Sequence, residues 1–154
     1  MLDVWISQGP KVKKFESDYA EYVGTSFGVA CNSGSSANLL ALTALIQSGY
    51  LSPGDEVIVP SSTFTTVISP ILQTGLVPVF VDVELDTYNM CPDSIQRSIT
   101  KKTKLIMVVH SLGCPAKMDE IMKISTTRGI PVLEDCCEAH GASINGKVVG
   151  SFGL

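Results

Sequence analysis

No stretch of this sequence approaches the ~18 consecutive apolar residues that a membrane-spanning helix requires, and the amino-terminal MLDVWISQGPKVKKFE lacks the apolar centre of a signal peptide. The expectation is a cytoplasmic protein with no membrane partner. Charge is sparse too: 17% of the residues are charged, and the net charge of −4 is scattered along the chain. Only KVKK and KKTK stand out as basic, and such short runs read as solvated surface, so no nucleic-acid groove is expected. The five cysteines, Cys31, Cys91, Cys114, Cys136 and Cys137, are an odd set with no CxxC pair and no metal-like Cys/His spacing. That fits a reduced compartment and no metal site, with Cys136 and Cys137 as packing residues facing opposite ways. GxSxG, GxGxxG and GxxxxGK[ST] are missing as well, which leaves a serine hydrolase, a Rossmann dinucleotide site and a P-loop unsupported.

What is present is apolar: 45% of 154 residues, enough for one domain with a sizeable core. Five nearly continuous apolar runs read as strands: FGVAC (27–31), EVIVP (56–60), VPVFVDV (77–83), KLIMVVH (104–110) and PVLED (131–135). Runs without alternation belong to strands covered on both faces, as in a parallel sheet. Between them SSANLLALTALIQS, FTTVISPILQTG, CPDSIQRSI and AKMDEIMKISTTRG have helical spacing, with Pro70 expected to kink the second or delay its start. PKVKKFESDYAEYVG puts Val12, Phe15, Tyr19 and Tyr22 on one helical face, as a layer helix or an oligomer arm. The pattern predicts an α/β fold: an open, mostly parallel sheet with helices on both faces. GKVVGSFGL reads as a loop.

In such a sheet ligands bind beyond the carboxyl ends of the strands. NSGSSAN (32–38) stands between a run and a helix, where free N–H groups and the positive end of the helix dipole make an anion site. Gly34 would let a phosphate approach closely, and Ser33, Ser35 and Ser36 add hydroxyls; the same residues would also make an ordinary serine N-cap. Asp135, at the end of PVLED, can pair with a cationic ring nitrogen, coordinate Mg²⁺ or cap a turn. Phe64 can cover a planar ring or fill the core. His110 receives no role.

Taken in order, QGPKVKKFE, NSGSSANLLAL, SPGDEVIVPSSTFTTV, GLVPVFVDVELDTYNM, VVHSLGCPAKMDEI and LEDCCEAHGA with GKVVGSFG resemble the DegT/DnrJ/StrS family of sugar aminotransferases along nearly the whole chain. The resemblance implies a fold type I large domain and pyridoxal 5′-phosphate (PLP) or pyridoxamine 5′-phosphate as cofactor. It also implies a nucleotide-linked keto sugar and an amino donor as substrates in polysaccharide or amino-sugar biosynthesis, and a homodimer with active sites at the subunit interface. By the same resemblance Gly34 and Ser35 give backbone amides to the cofactor phosphate, Phe64 stacks on the pyridine ring and Asp135 pairs with its nitrogen. Glu138 stands where many relatives have a glutamine facing the ring's phenolic oxygen, and a carboxylate donates no hydrogen bond there unless protonated. The Schiff-base lysine is expected beyond the GSFG block, outside residues 1–154 together with the small carboxy-terminal domain; Lys147 precedes the block and is no candidate. NSGSSANLL and HSLG also resemble the family's sugar 3-dehydrases, in which histidine replaces the lysine. A non-catalytic module that keeps the phosphate turn is a third reading.

Overall fold

The computed structural model describes residues 8–154, so the first seven residues of the amino-terminal stretch lie outside the described residues. Helix α1 (Pro10–Val23) is followed by α2 (Gly34–Gln47), strand β1 (Glu56–Pro60), α3 (Thr65–Gln73), β2 (Val77–Val81), α4 (Pro92–Ser98) and β3 (Thr103–Val109). A 3₁₀ turn (Ser111–Gly113), α5 (Met118–Arg128), β4 (Val132–Asp135) and a short hairpin of β5 (Ser143–Ile144) and β6 (Lys147–Val148) complete the order. The four longer strands make one sheet in the order β2-β1-β3-β4, with every neighbouring pair parallel. Among the described residues no helix is long and apolar enough to cross a membrane.

The continuous apolar runs of β1 and β3 are explained by two cores, whereas β2, at the edge of the sheet, leaves Val77 and Phe80 exposed and is not covered on both faces as expected. Successive side chains of a strand point to opposite faces. Val57, Val59, Leu105, Met107 and Val109 pack with Leu42, Val67 and Ile71 from α2 and α3 on one face. Ile58, Ile106 and Val108 pack with Ile95, Met118 and Ile121 from α4 and α5 on the other. Burying each such Val, Leu or Ile is worth about 1.5–3 kcal/mol, so both helical layers are anchored on β1 and β3.

The first expected strand is not one. Residues 27–31 have no regular secondary structure and no sheet neighbour among the described residues, and Phe27 and Val29 are 87% and 72% exposed. A strand needs a partner for its backbone groups; here the N–H of Ala30 goes instead to the carboxylate of Glu16 on α1, at 2.8 Å. Gly28 passes so close to α1 that a Cβ there would lie 2.6 Å from the Glu16 carbonyl oxygen. The apolar face expected of α1 is only partly used: Tyr19 bonds His140 Nδ1 through its hydroxyl at 2.7 Å, while Phe15 and Tyr22 are exposed. The carboxy-terminal segment, expected as a loop throughout, contains the β5–β6 hairpin.

Pro70 neither ends α3 nor delays its start, since the helix begins at Thr65 and runs through it. Proline has no N–H, so the carbonyl of Thr66, four residues back, lacks its helical donor. The side-chain amide of Asn38 takes that place, Nδ2 to Thr66 O at 3.2 Å.

Candidate active site

The carboxyl ends of β1, β3 and β4 converge on the start of α2. There Ser33 is the N-cap: its hydroxyl accepts the Ser36 N–H at 3.2 Å and its carbonyl the Ala37 N–H at 3.0 Å. Among the described residues no acceptor meets the N–H groups of Gly34 and Ser35. An ordinary serine cap and an open pair of donors at the positive helix end therefore coexist in one turn.

A cavity of about 240 Å³ opens at that turn, and it is lined by all five residues singled out above, Gly34, Ser35, Phe64, Asp135 and Glu138, with Cys137 and Val109 among the others. Phe64 precedes α3 and is 60% exposed, so the structure makes it a cavity wall rather than core. Asp135 ends β4 and is 6% exposed. Its Oδ2 accepts from Asn38 Nδ2 at 2.8 Å and its Oδ1 from the Cys137 N–H at 3.1 Å. A carboxylate offers roughly four lone-pair sites, so acceptor capacity remains after these two bonds.

A second cavity of about 280 Å³ shares Phe64, Val109 and Glu138 with the first and extends to Thr63, Tyr88 and Leu112. Glu138 stands where the two meet, its Oε2 accepting the N–H of Leu112 at 2.9 Å. Tyr88 and Leu112 hold left-handed backbone, φ 57° and 53°, a conformation uncommon away from functional loops. The Thr63 hydroxyl is buried with no hydrogen-bond partner among the described residues. A larger open groove of about 900 Å³ carries Lys101, Lys104 and Arg128. It adjoins the amino ends of β3 and β4, the wrong end of a parallel sheet for the family of ligands such folds hold.

The reason for glycine at 34 is geometric. A Cβ there would lie 2.7 Å from Cys137 Sγ, so the thiol occupies the space a side chain would need. Cys137, expected to be packing, is exposed and lines the cavity. Its thiol is pushed up to about 11 by burial and by its contact with Asp135. Cys136 is half-buried, and burial together with the charges of Glu134 and Asp135 pushes it up to about 12.

His110, Glu134 and Cys136 bring possible metal-binding atoms within 4.8 Å of one another. Their chemistry is that of a structural knot. Glu134 accepts N–H bonds from Gly150 at 2.8 Å and from Phe152 and Gly153 at 2.7 Å each, besides its bond with His110. Its oxygens are committed, and a thiol raised so far is a poor metal ligand. Lys147, excluded above, places its amine over the ring of Phe152 at 4.4 Å.

Asn38 is a further site residue, and it carried a signal in the sequence: it is a polar residue one turn after Gly34, directly before the largely apolar LLALTALI stretch, and it is 8% exposed. Asparagine is a poor helix former, so its place in an apolar helix calls for a partner.

The chain is 45% identical over 156 aligned residues to a dTDP-4-dehydro-2,6-dideoxy-D-glucose 3-dehydratase of Saccharopolyspora spinosa, with 99% of this chain and 34% of that protein covered. It is also 45% identical to a UDP-N-acetyl-3-dehydro-alpha-D-glucosamine 3-aminotransferase of Acidithiobacillus ferrooxidans, covering 94% of this chain and 38% of the relative. Among solved structures, an E. coli GDP-4-keto-6-deoxy-D-mannose-3-dehydratase with bound hydrated PLP superposes with a TM-score of 0.91 at 41% identity, covering 96% of this chain and 39% of that one. The chain thus spans little more than a third of the length of these relatives. The profile of the family itself matches residues 1–154, and the chain belongs to the DegT/DnrJ/EryC1/StrS aminotransferase family.

Proposed function

We propose that this chain forms the cofactor-binding front of the large domain of an enzyme that uses PLP or pyridoxamine phosphate to transfer an amino group to a nucleotide-linked keto sugar. The reading is carried by one observation: open N–H donors at a helix start, an exposed aromatic face and a buried carboxylate with spare acceptor capacity line a single cavity. Those three features fit a phosphate, a flat ring and a protonated ring nitrogen. The amides of Gly34 and Ser35 receive the phosphate, Phe64 covers the ring, Asp135 holds the proton on the ring nitrogen, and Glu138 faces the phenolic oxygen. When bound, the group supplies an electron sink. Val109 and Phe64 keep water from the ring, and the adjoining cavity with Thr63 takes part of the sugar.

A second reading, sugar 3-dehydration, is favoured by Glu138. A carboxylate already bonded to the Leu112 N–H takes the place of an amide donor, and the Saccharopolyspora relative is named as a 3-dehydratase. In either case the complete enzyme works in the cytoplasm as a homodimer, which exposed Leu39 and Leu40 on α2 and Phe15 and Tyr22 on α1 support as apolar surface to be covered.

Titration of the chain with PLP, followed by absorbance and protein fluorescence, tests the site. Saturable binding that Asp135→Asn weakens is the expected result, and no binding at millimolar cofactor sinks the reading. In the complete protein, borohydride should fix the cofactor covalently for a transaminase and leave it extractable for a 3-dehydratase.

A further inference from the structure

We infer that Asn38 is a positioning residue for Asp135, held in place by a vacancy that Pro70 creates in α3. The inference rests on the proposed PLP reading and goes beyond it, since Asn38 does not line the cavity. Its amide nitrogen faces two groups that can only accept, the Asp135 carboxylate at 2.8 Å and the Thr66 carbonyl at 3.2 Å. The nitrogen therefore has to be on that side, with one N–H for each partner. Thr66 O is free to receive it because residue 70, the normal helical donor to that carbonyl, is proline. Three elements meet in this one amide: α2 carries it, α3 anchors it, and the end of β4 is aimed by it.

The consequence falls on the carboxylate. The Cys137 N–H holds Oδ1 and Asn38 holds Oδ2, so the plane of the Asp135 carboxylate is fixed from two sides, with Asn38 and Asp135 both buried. A carboxylate held in one orientation is what a protonated ring nitrogen needs, and a helix residue at 38 that could not donate would leave Oδ2 short of a partner in a buried setting and Thr66 O without its substitute donor. The preference of the site for a ring with a nitrogen at that position should therefore depend on Asn38.

The test uses the 154-residue chain, PLP, and the 1-deaza analogue in which carbon replaces the ring nitrogen. Asn38→Leu should weaken PLP roughly tenfold or more, about the effect of one hydrogen bond to a charged group, and leave the analogue's affinity unchanged. In an Asp135→Asn background the same substitution should have no further effect on PLP. Equal weakening of both compounds, or a full effect of Asn38→Leu without the Asp135 carboxylate, overturns the role while leaving the PLP site intact. Failure of the unaltered chain to bind either compound overturns the proposed function and this role with it. Should Asn38→Leu not fold, Pro70→Ala gives Thr66 O a helical donor of its own without touching the cavity. A smaller loss in the same direction, selective for PLP, is expected, and an unchanged preference between the two compounds overturns the role.

Discussion

His110 and Glu134 form a buried pair, with Nε2 3.1 Å from Oε2 and side chains 0% and 3% exposed. The Ala116 N–H donates to Nδ1 at 3.0 Å, so that nitrogen accepts, the proton sits on Nε2, and a neutral ring donates to the carboxylate. Burial by itself would raise Glu134, but the bonds from His110, Gly150, Gly153 and Phe152 together outweigh it and hold the carboxyl below its ordinary value. The unfolded chain therefore binds this proton more tightly than the folded one. The resulting stability is present above the ordinary carboxylate value and is lost as pH falls through the lower folded one. Glu134→Gln sets an amide donor against backbone donors and should cost about 2–3 kcal/mol at neutral pH. Urea unfolding at pH 7 and near pH 3 checks this: the cost should shrink in acid, and an equal cost at both would refute the assignment.

Gly34→Ala should weaken the cavity from within. The new Cβ would meet Cys137 Sγ at 2.7 Å, so either the thiol or the first turn of α2 must move. Overpacking of this kind costs about 1–3 kcal/mol, and PLP affinity should fall alongside stability because the displaced turn carries the open N–H groups. Cys137→Ala removes the sulfur, and the double variant should recover most of both losses. A double variant no better than Gly34→Ala would show that the glycine is needed for some other reason.

The sequence showed the sheet and its helices because periodicity and burial coincide there: EVIVP and KLIMVVH are apolar on both faces since α2 and α3 cover one and α4 and α5 the other. It failed at FGVAC, where composition suits a strand but no described neighbour supplies the backbone bonds. Strand identity there depends on a partner, which composition does not carry. The five cavity residues were legible as family motif positions. The partners of Asn38 were not, because they are a carbonyl freed by a proline 32 positions later and a carboxylate 97 positions away, distances over which a single sequence gives no pairing signal.

Phe64→Ala should separate binding from folding. The residue is 60% exposed and belongs to neither core, so the thermal midpoint should change little. Loss of the aromatic face should cost the bound ring about 0.5–1.5 kcal/mol, roughly two- to twelvefold in affinity. Parallel PLP titration and thermal unfolding of the two proteins decide the point. A large drop in the unfolding midpoint would make Phe64 a packing residue after all.

The cysteines should label in an order that exposure alone does not give. Cys31, Cys114 and Cys137 are all exposed, yet the Cys137 thiol is pushed up to about 11 by burial of its sulfur and by Asp135. Alkylation proceeds through the thiolate, so at pH 8 only a small fraction of Cys137 is reactive. Cys136, half-buried and pushed up to about 12, should be slower still. Iodoacetamide labelling read by peptide mass spectrometry should find Cys31 and Cys114 modified well before Cys137, with the gap closing as pH rises toward 11. Asp135→Asn removes the neighbouring negative charge and should speed labelling of Cys137 at pH 8 while leaving Cys31 unchanged. Equal rates at Cys31 and Cys137 in the unaltered chain would mean that the thiol does not sit against Asp135 and Gly34 in solution.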